Sequence, residues 1–84
     1  NVGGNFISLV GGEYSVTSTG DMFLSTTESL GVTSLKTISM TAASSTDGNV
    51  AIIAGTSLDM KSTGKMTIKS EDEVDIDGTE INLN

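Results

Sequence analysis

Apolar residues in this chain come in pairs two positions apart, and the pairs recur at a fixed interval. They are Tyr14 and Val16, Met22 and Leu24, Leu30 and Val32, and Ile38 and Met40. The series resumes with Val50 and Ile52, Leu58 and Met60, Met66 and Ile68, and Val74 and Ile76. The step is eight residues throughout, with one step of twelve between Ile38 and Val50. A last pair, Ile81 and Leu83, arrives after seven. At the start Phe6 keeps the step, but Ser8 stands where the second apolar residue belongs. Apolar side chains two apart share one face of an extended segment. The residue between them points the other way, and it is polar at Ser15, Ser39, Asp59, Thr67, Asp75 and Asn82. Phe23, Gly31 and Ala51 depart from this rule.

A second periodicity marks the corners. Gly4, Gly12, Gly20, Gly48 and Gly64 each stand two residues before an apolar pair, and Gly3, Gly11 and Gly55 lie one position earlier still. Glu28, Lys36, Thr56 and Asp72 break the glycine series. A glycine opens positive φ to the chain and so favours a tight corner. The pattern therefore predicts a short strand with one dry face, then a turn, copied nine or ten times. Where the glycine is missing, from Glu28 to Met40, the predicted architecture is less regular. A period of eight excludes a coiled coil, which repeats every seven or eleven residues, and alternation by two argues against a helix. The chain divides into octads over about 2–41, a loop over about 42–49 carrying the turn signal Asp47-Gly48, octads over about 50–77 and a terminal cap over about 78–84.

Composition narrows what such a chain does. At 84 residues it is one small domain, with no Cys and no His. Disulfides, thiolate or imidazole metal sites and the His-based catalytic arrangements are excluded. Ser and Thr total 24, with no Pro and no Trp, which favours strands over helices. Four Lys against eleven Asp and Glu give a net charge of −7. Nucleic acid is thereby an unfavourable partner, since phosphate binding is driven by cations, and so is an anionic lipid surface. The chain begins at Asn1 rather than Met, which predicts a piece of a longer protein.

The candidate chemistry is thin. Glu73, Asp75, Asp77 and Gly78 follow the opening of a calcium loop. An EF-hand then needs a bidentate Glu at its twelfth position, and Asn84 stands there. Val74 and Ile76 keep the octad register through the same stretch, so a segment with an acidic outer face is the preferred reading and calcium the minor alternative. Six of the eleven acids lie between Glu71 and Glu80. Paired carboxylates could cleave glycosides only with one acid in a cleft, and the pattern predicts none. Lys61, Lys65 and Lys69 read as solvated corners, and the four Met residues as core filling. Among the outward positions Phe23 is the one large aromatic residue, and a single exposed Phe is ordinary.

A lone ribbon of octads exposes two long edges. An eight-residue unit with one corner is too short to close a single-chain coil, whereas three units make one triangular turn. Three intertwined chains then stack their strands on each face. Ten steps of strand spacing give a shaft of roughly 50 Å. The fold expected is all-β, an intertwined triple-stranded β-helix or trimeric β-prism built from octads. Its trimer core is made of the paired residues from Tyr14 to Ile76.

The octads "VGGNFISL", "VGGEYSVT", "STGDMFLS" and "STGKMTIK", with the closing "VDIDGTEINLN", resemble the C-terminal triple-stranded β-helix of the cell-puncturing central spike of T-even-like contractile-tailed phages. The VgrG spike proteins of type VI secretion share that architecture. The resemblance spans nearly the whole chain and rests on its period. It implies a homotrimeric needle on the tail baseplate of a virion, joined to the baseplate hub by preceding domains and driven into the host outer membrane by sheath contraction. It implies no enzyme activity here, although in some members a lysozyme domain precedes the needle. Some related spikes end in a tip where His residues of three chains bind iron. With no His, this chain is expected to carry a separate PAAR-type tip protein at Ile81, Asn82, Leu83 and Asn84. No cofactor is expected, with an ion on the threefold axis left open. A trimeric tail-fibre or adhesin stalk with a receptor-binding tip is the rival assembly.

Overall fold

The computed structural model describes all residues from Asn1 to Asn84. They form two units, Asn1–Ser39 and Met40–Asn84. Neither holds a helix or a strand, which overturns the expected all-β triple-stranded β-helix. The reason is the path of the chain. A strand needs a second segment about 4.8 Å away to complete its ladder. Within each unit no residue comes within 8 Å of another twelve or more positions along. Each octad advances rather than doubling back, and the one backbone–backbone hydrogen bond runs from Gly48 N–H to the Ser44 carbonyl, 3.2 Å.

The period of eight is nevertheless built into the backbone. The first unit bends at 3–4, 11–12, 19–20, 27–28 and 35–36. In the second, a turn over 45–47 is followed by bends at 55–56, 63–64, 71–72 and 79. The bends at 27–28, 35–36 and 71–72 contain no glycine, so the irregularity expected between Glu28 and Met40 is absent from the spacing of the corners. Nor does any glycine adopt positive φ, so the corners do not depend on the left-handed region.

Hydroxyls take over where glycine is missing. The Glu28 N–H donates to Thr26 Oγ1 at 3.2 Å, the Lys36 N–H to Ser34 Oγ at 3.3 Å and the Asp72 N–H to Ser70 Oγ at 3.2 Å. This is a side chain standing in for a backbone turn. Where the third octad position is glycine, the hydroxyl acts in the other sense. Ser18 donates to the Asp21 carbonyl at 3.2 Å, and Ser62 to the Lys65 carbonyl at 3.3 Å. The remaining octads open with Val2, Val10 and Ala54, which cannot brace a corner, and these three carry glycine at the second position, Gly3, Gly11 and Gly55. Each of these eight corners thus has either a hydroxyl at its first residue or a glycine at its second, whereas the bend at 79, whose octad opens with Gly78, has neither.

The predicted loop over 42–49 contains a well-braced turn. Ser44 Oγ–H donates to Asp47 Oδ1 at 2.6 Å, and the same oxygen lies 3.4 Å from the N–H groups of Thr46 and Asp47. Gly48 is needed here for space, since a Cβ on it would sit 2.5 Å from the Ser44 carbonyl oxygen and 2.8 Å from that of Ala42. At the far end the bend at 79 keeps the step of eight from 71, so the shortened interval before Ile81 falls after the corner.

Replacing one hydroxyl should loosen its corner, and glycine at the next position should restore it. Ser34→Ala is expected to cost about 1 kcal/mol. Adding Leu35→Gly to that variant should recover most of the loss. Thermal melts of the two variants beside the parent check both steps, and equal melting of all three would show that the hydroxyl does not hold the corner.

Candidate functional site

The paired apolar positions form the most extensive feature on the molecule. No residue in the chain is buried. From Tyr14 to Ile76 the paired residues range from 48% exposed at Met66 to 77% at Leu24. Off the pair register, Ile7 at 84%, Phe23 at 87% and Leu35 at 103% stand further out, whereas Val10 at 44% is shaded more than any paired residue. The register positions are thus partly shaded, and none is covered. Sixteen apolar side chains assigned to a trimer core, Tyr14, Val16, Met22, Leu24, Leu30, Val32, Ile38, Met40, Val50, Ile52, Leu58, Met60, Met66, Ile68, Val74 and Ile76, present an unpartnered apolar surface.

The total makes the point quantitatively. The chain exposes 9546 Å². A folded monomer of 8.6 kDa exposes roughly 4,700 Å² and a fully unfolded one roughly 12,500 Å². The excess over a folded monomer is about as large as the surface such a monomer keeps.

A shallow hollow in the first unit is lined by Phe6, Ser8, Leu9, Val10 and Tyr14. Phe6 and Tyr14 occupy the same octad position one step apart, and Ser8 fills the place of the absent second apolar residue. A phenol and a hydroxyl are its only polar side-chain groups, so it offers a hydrogen bond or two beside aromatic surface.

The acidic stretch does not converge. No three Asp or Glu side chains gather where one cation could be held by all of them, and that includes Glu73, Asp75 and Asp77. The terminal residues are differentiated. Ile81 is half-exposed and Leu83 nearly fully so, while Asn82 Nδ2–H donates to Glu80 Oε1 at 2.9 Å. Lys65 serves a corner through its backbone carbonyl, which accepts from Ser62.

The residues that the periodicity argument passed over are the corner hydroxyls, Ser18, Thr26, Ser34, Ser62 and Ser70. The signal was present in their complementarity with Gly3, Gly11 and Gly55, since a hydroxyl at the first octad position and a glycine at the second never coincide. Comparison with family models, with curated proteins and with solved structures gives no match for the chain.

Since the acids are not brought together, calorimetric titration with calcium is expected to show no saturable binding heat. A one-to-one isotherm that disappears in Asp75→Asn would restore the calcium reading.

Proposed function

We propose that this chain is a shaft segment of a homotrimeric, membrane-piercing central spike of a contractile phage tail. In this reading it works mechanically rather than by catalysis. The observation that carries it is the exposed apolar register, eight pairs long from Tyr14 to Ile76, on a chain that buries no residue. An apolar surface of that extent drives association. A register stepped by eight on either side of the loop suits identical copies laid side by side, because each octad then meets an equivalent octad. Stability and assembly become one quantity in such a protein.

Charge fits the same role. Three copies carry 3 × −7 = −21. A surface so acidic is not retained by anionic lipid, which suits a body that passes through an envelope. The acids crowd toward the C-terminal end, and Ile81 and Leu83 add apolar surface beyond them, the place we assign to a PAAR-type tip protein. In this reading the shaft is joined to a baseplate hub.

Light scattering tests the assembly directly, with a mass three times the 8.6 kDa chain expected. A stable monomer would sink the proposal. Val16→Asp and Ile68→Asp are expected to abolish the trimer, because three charges would meet in an apolar interior, while Ser15→Asp should leave it intact. Capture of a PAAR-type protein through the Asn84 end supports the spike. Binding of a receptor or glycan instead would make the assembly an adhesin stalk.

A further inference from the structure

The chain contains two Asp-Gly dipeptides, Asp47-Gly48 and Asp77-Gly78, and the structure treats them differently. In any Asp-Gly step the glycine nitrogen can attack the aspartate side-chain carbonyl carbon. The new N–C bond closes a five-membered succinimide, and the carboxyl oxygen leaves as water. Water then opens the ring on either side, returning aspartate or giving isoaspartate, in which the main chain runs through the former side chain. No oxidant or other co-reactant is required. Glycine favours the step because it has no Cβ to hinder the approach of its nitrogen.

At the first dipeptide both reacting groups are tied down. The Gly48 N–H donates to the Ser44 carbonyl at 3.2 Å, and Asp47 Oδ1 accepts from the Ser44 hydroxyl at 2.6 Å. The Asp47 N–H also points to Ser44 Oγ at 3.4 Å. Ring closure there has to break the hydrogen bond of the Gly48 N–H and that of the Asp47 carboxylate together. At the second dipeptide neither group is held. The Gly78 N–H makes no backbone bond, and the Asp77 carboxylate is in no side-chain bond of its turn, where Glu80 is engaged with Asn82 instead. A Cβ on Gly78 would meet nothing closer than 3.5 Å, so no neighbouring group crowds its Cα, unlike that of Gly48.

We infer that Asp77-Gly78 is a site of spontaneous backbone isomerisation, and that Ser44 protects Asp47-Gly48 from the same reaction. The modified residue lies four positions before Ile81, at the corner after which the step shortens. Isoaspartate lengthens the main chain there by one carbon and moves a carboxylate into the corner. The terminal cap thereby acquires an age-dependent second form.

The test is prolonged incubation of the purified assembled protein in warm, mildly acidic buffer made with heavy-oxygen water. Peptide mapping then locates the incorporated label, and enzymatic methylation of isoaspartate identifies the product. Label and isoaspartate are expected at Asp77 roughly fivefold faster than at Asp47, the factor set by the net worth of about one hydrogen bond. Ser44→Ala should raise the rate at Asp47 toward that at Asp77, and Gly78→Ala should silence Asp77. Equal rates at the two sites in the parent, label at neither, or a Ser44→Ala rate at Asp47 no different from the parent would each overturn the inference.

Discussion

Everything in this molecule is conditioned by one shortage: apolar side chains recur along the whole chain, yet within neither unit does the backbone fold back to cover them. Hydrophobic burial is the main favourable term in folding, and here it is unrealised within the polypeptide. The bends keep each octad's pair in register, and the register keeps the pairs in a repeating order, but neither supplies a second layer. A small domain usually needs disulfides, metal or oligomerisation when its core is insufficient. The composition removes the first of these, since there is no Cys. The dispersed carboxylates do not gather into a cation cage. Oligomerisation is the route the proposed function takes.

Local chemistry does the work that tertiary contacts do elsewhere. Corners at Thr26, Ser34 and Ser70 are braced by a hydroxyl accepting a main-chain N–H two residues on. Corners at Ser18 and Ser62 use the hydroxyl as donor to a carbonyl three residues on. Such bonds are individually weak in water. Their value lies in repetition, because they set the same bend at the same interval. Ser44 collects more of these bonds than any other side chain in its unit, and it does so at the one place where the interval is broken.

The sequence made the period legible because the period is local. Pairs such as Met66 and Ile68, and the corner before them at Thr63-Gly64, could be placed by counting. The loop around Asp47-Gly48 was legible for the same reason. What could not be read was whether one octad pairs with another. Alternation by two tells which side chains share a face, not whether a backbone partner lies alongside, and on that point the strand assignment failed. The glycine argument failed more narrowly. It assigned the corners to positive φ, which no glycine adopts, and so it undervalued Thr26, Ser34 and Ser70. The acidic stretch was read first as a segment with an acidic outer face, and Glu73, Asp75 and Asp77 do not converge on one point.

The self-contained corner has a bearing on how such a chain changes length. Each octad makes its bend with its own residues, so removing or adding a whole octad deletes or duplicates a complete module and leaves the phase of every other pair intact. The loop over 42–49 illustrates the contrary case. Its four extra residues are half a period, and the chain accommodates them only by building a dedicated turn around Ser44 and a glycine that tolerates no side chain. Evolution by duplication should therefore be unobstructed in whole periods and obstructed between them, which makes reach a quantity this protein can adjust in discrete increments without inventing new structure.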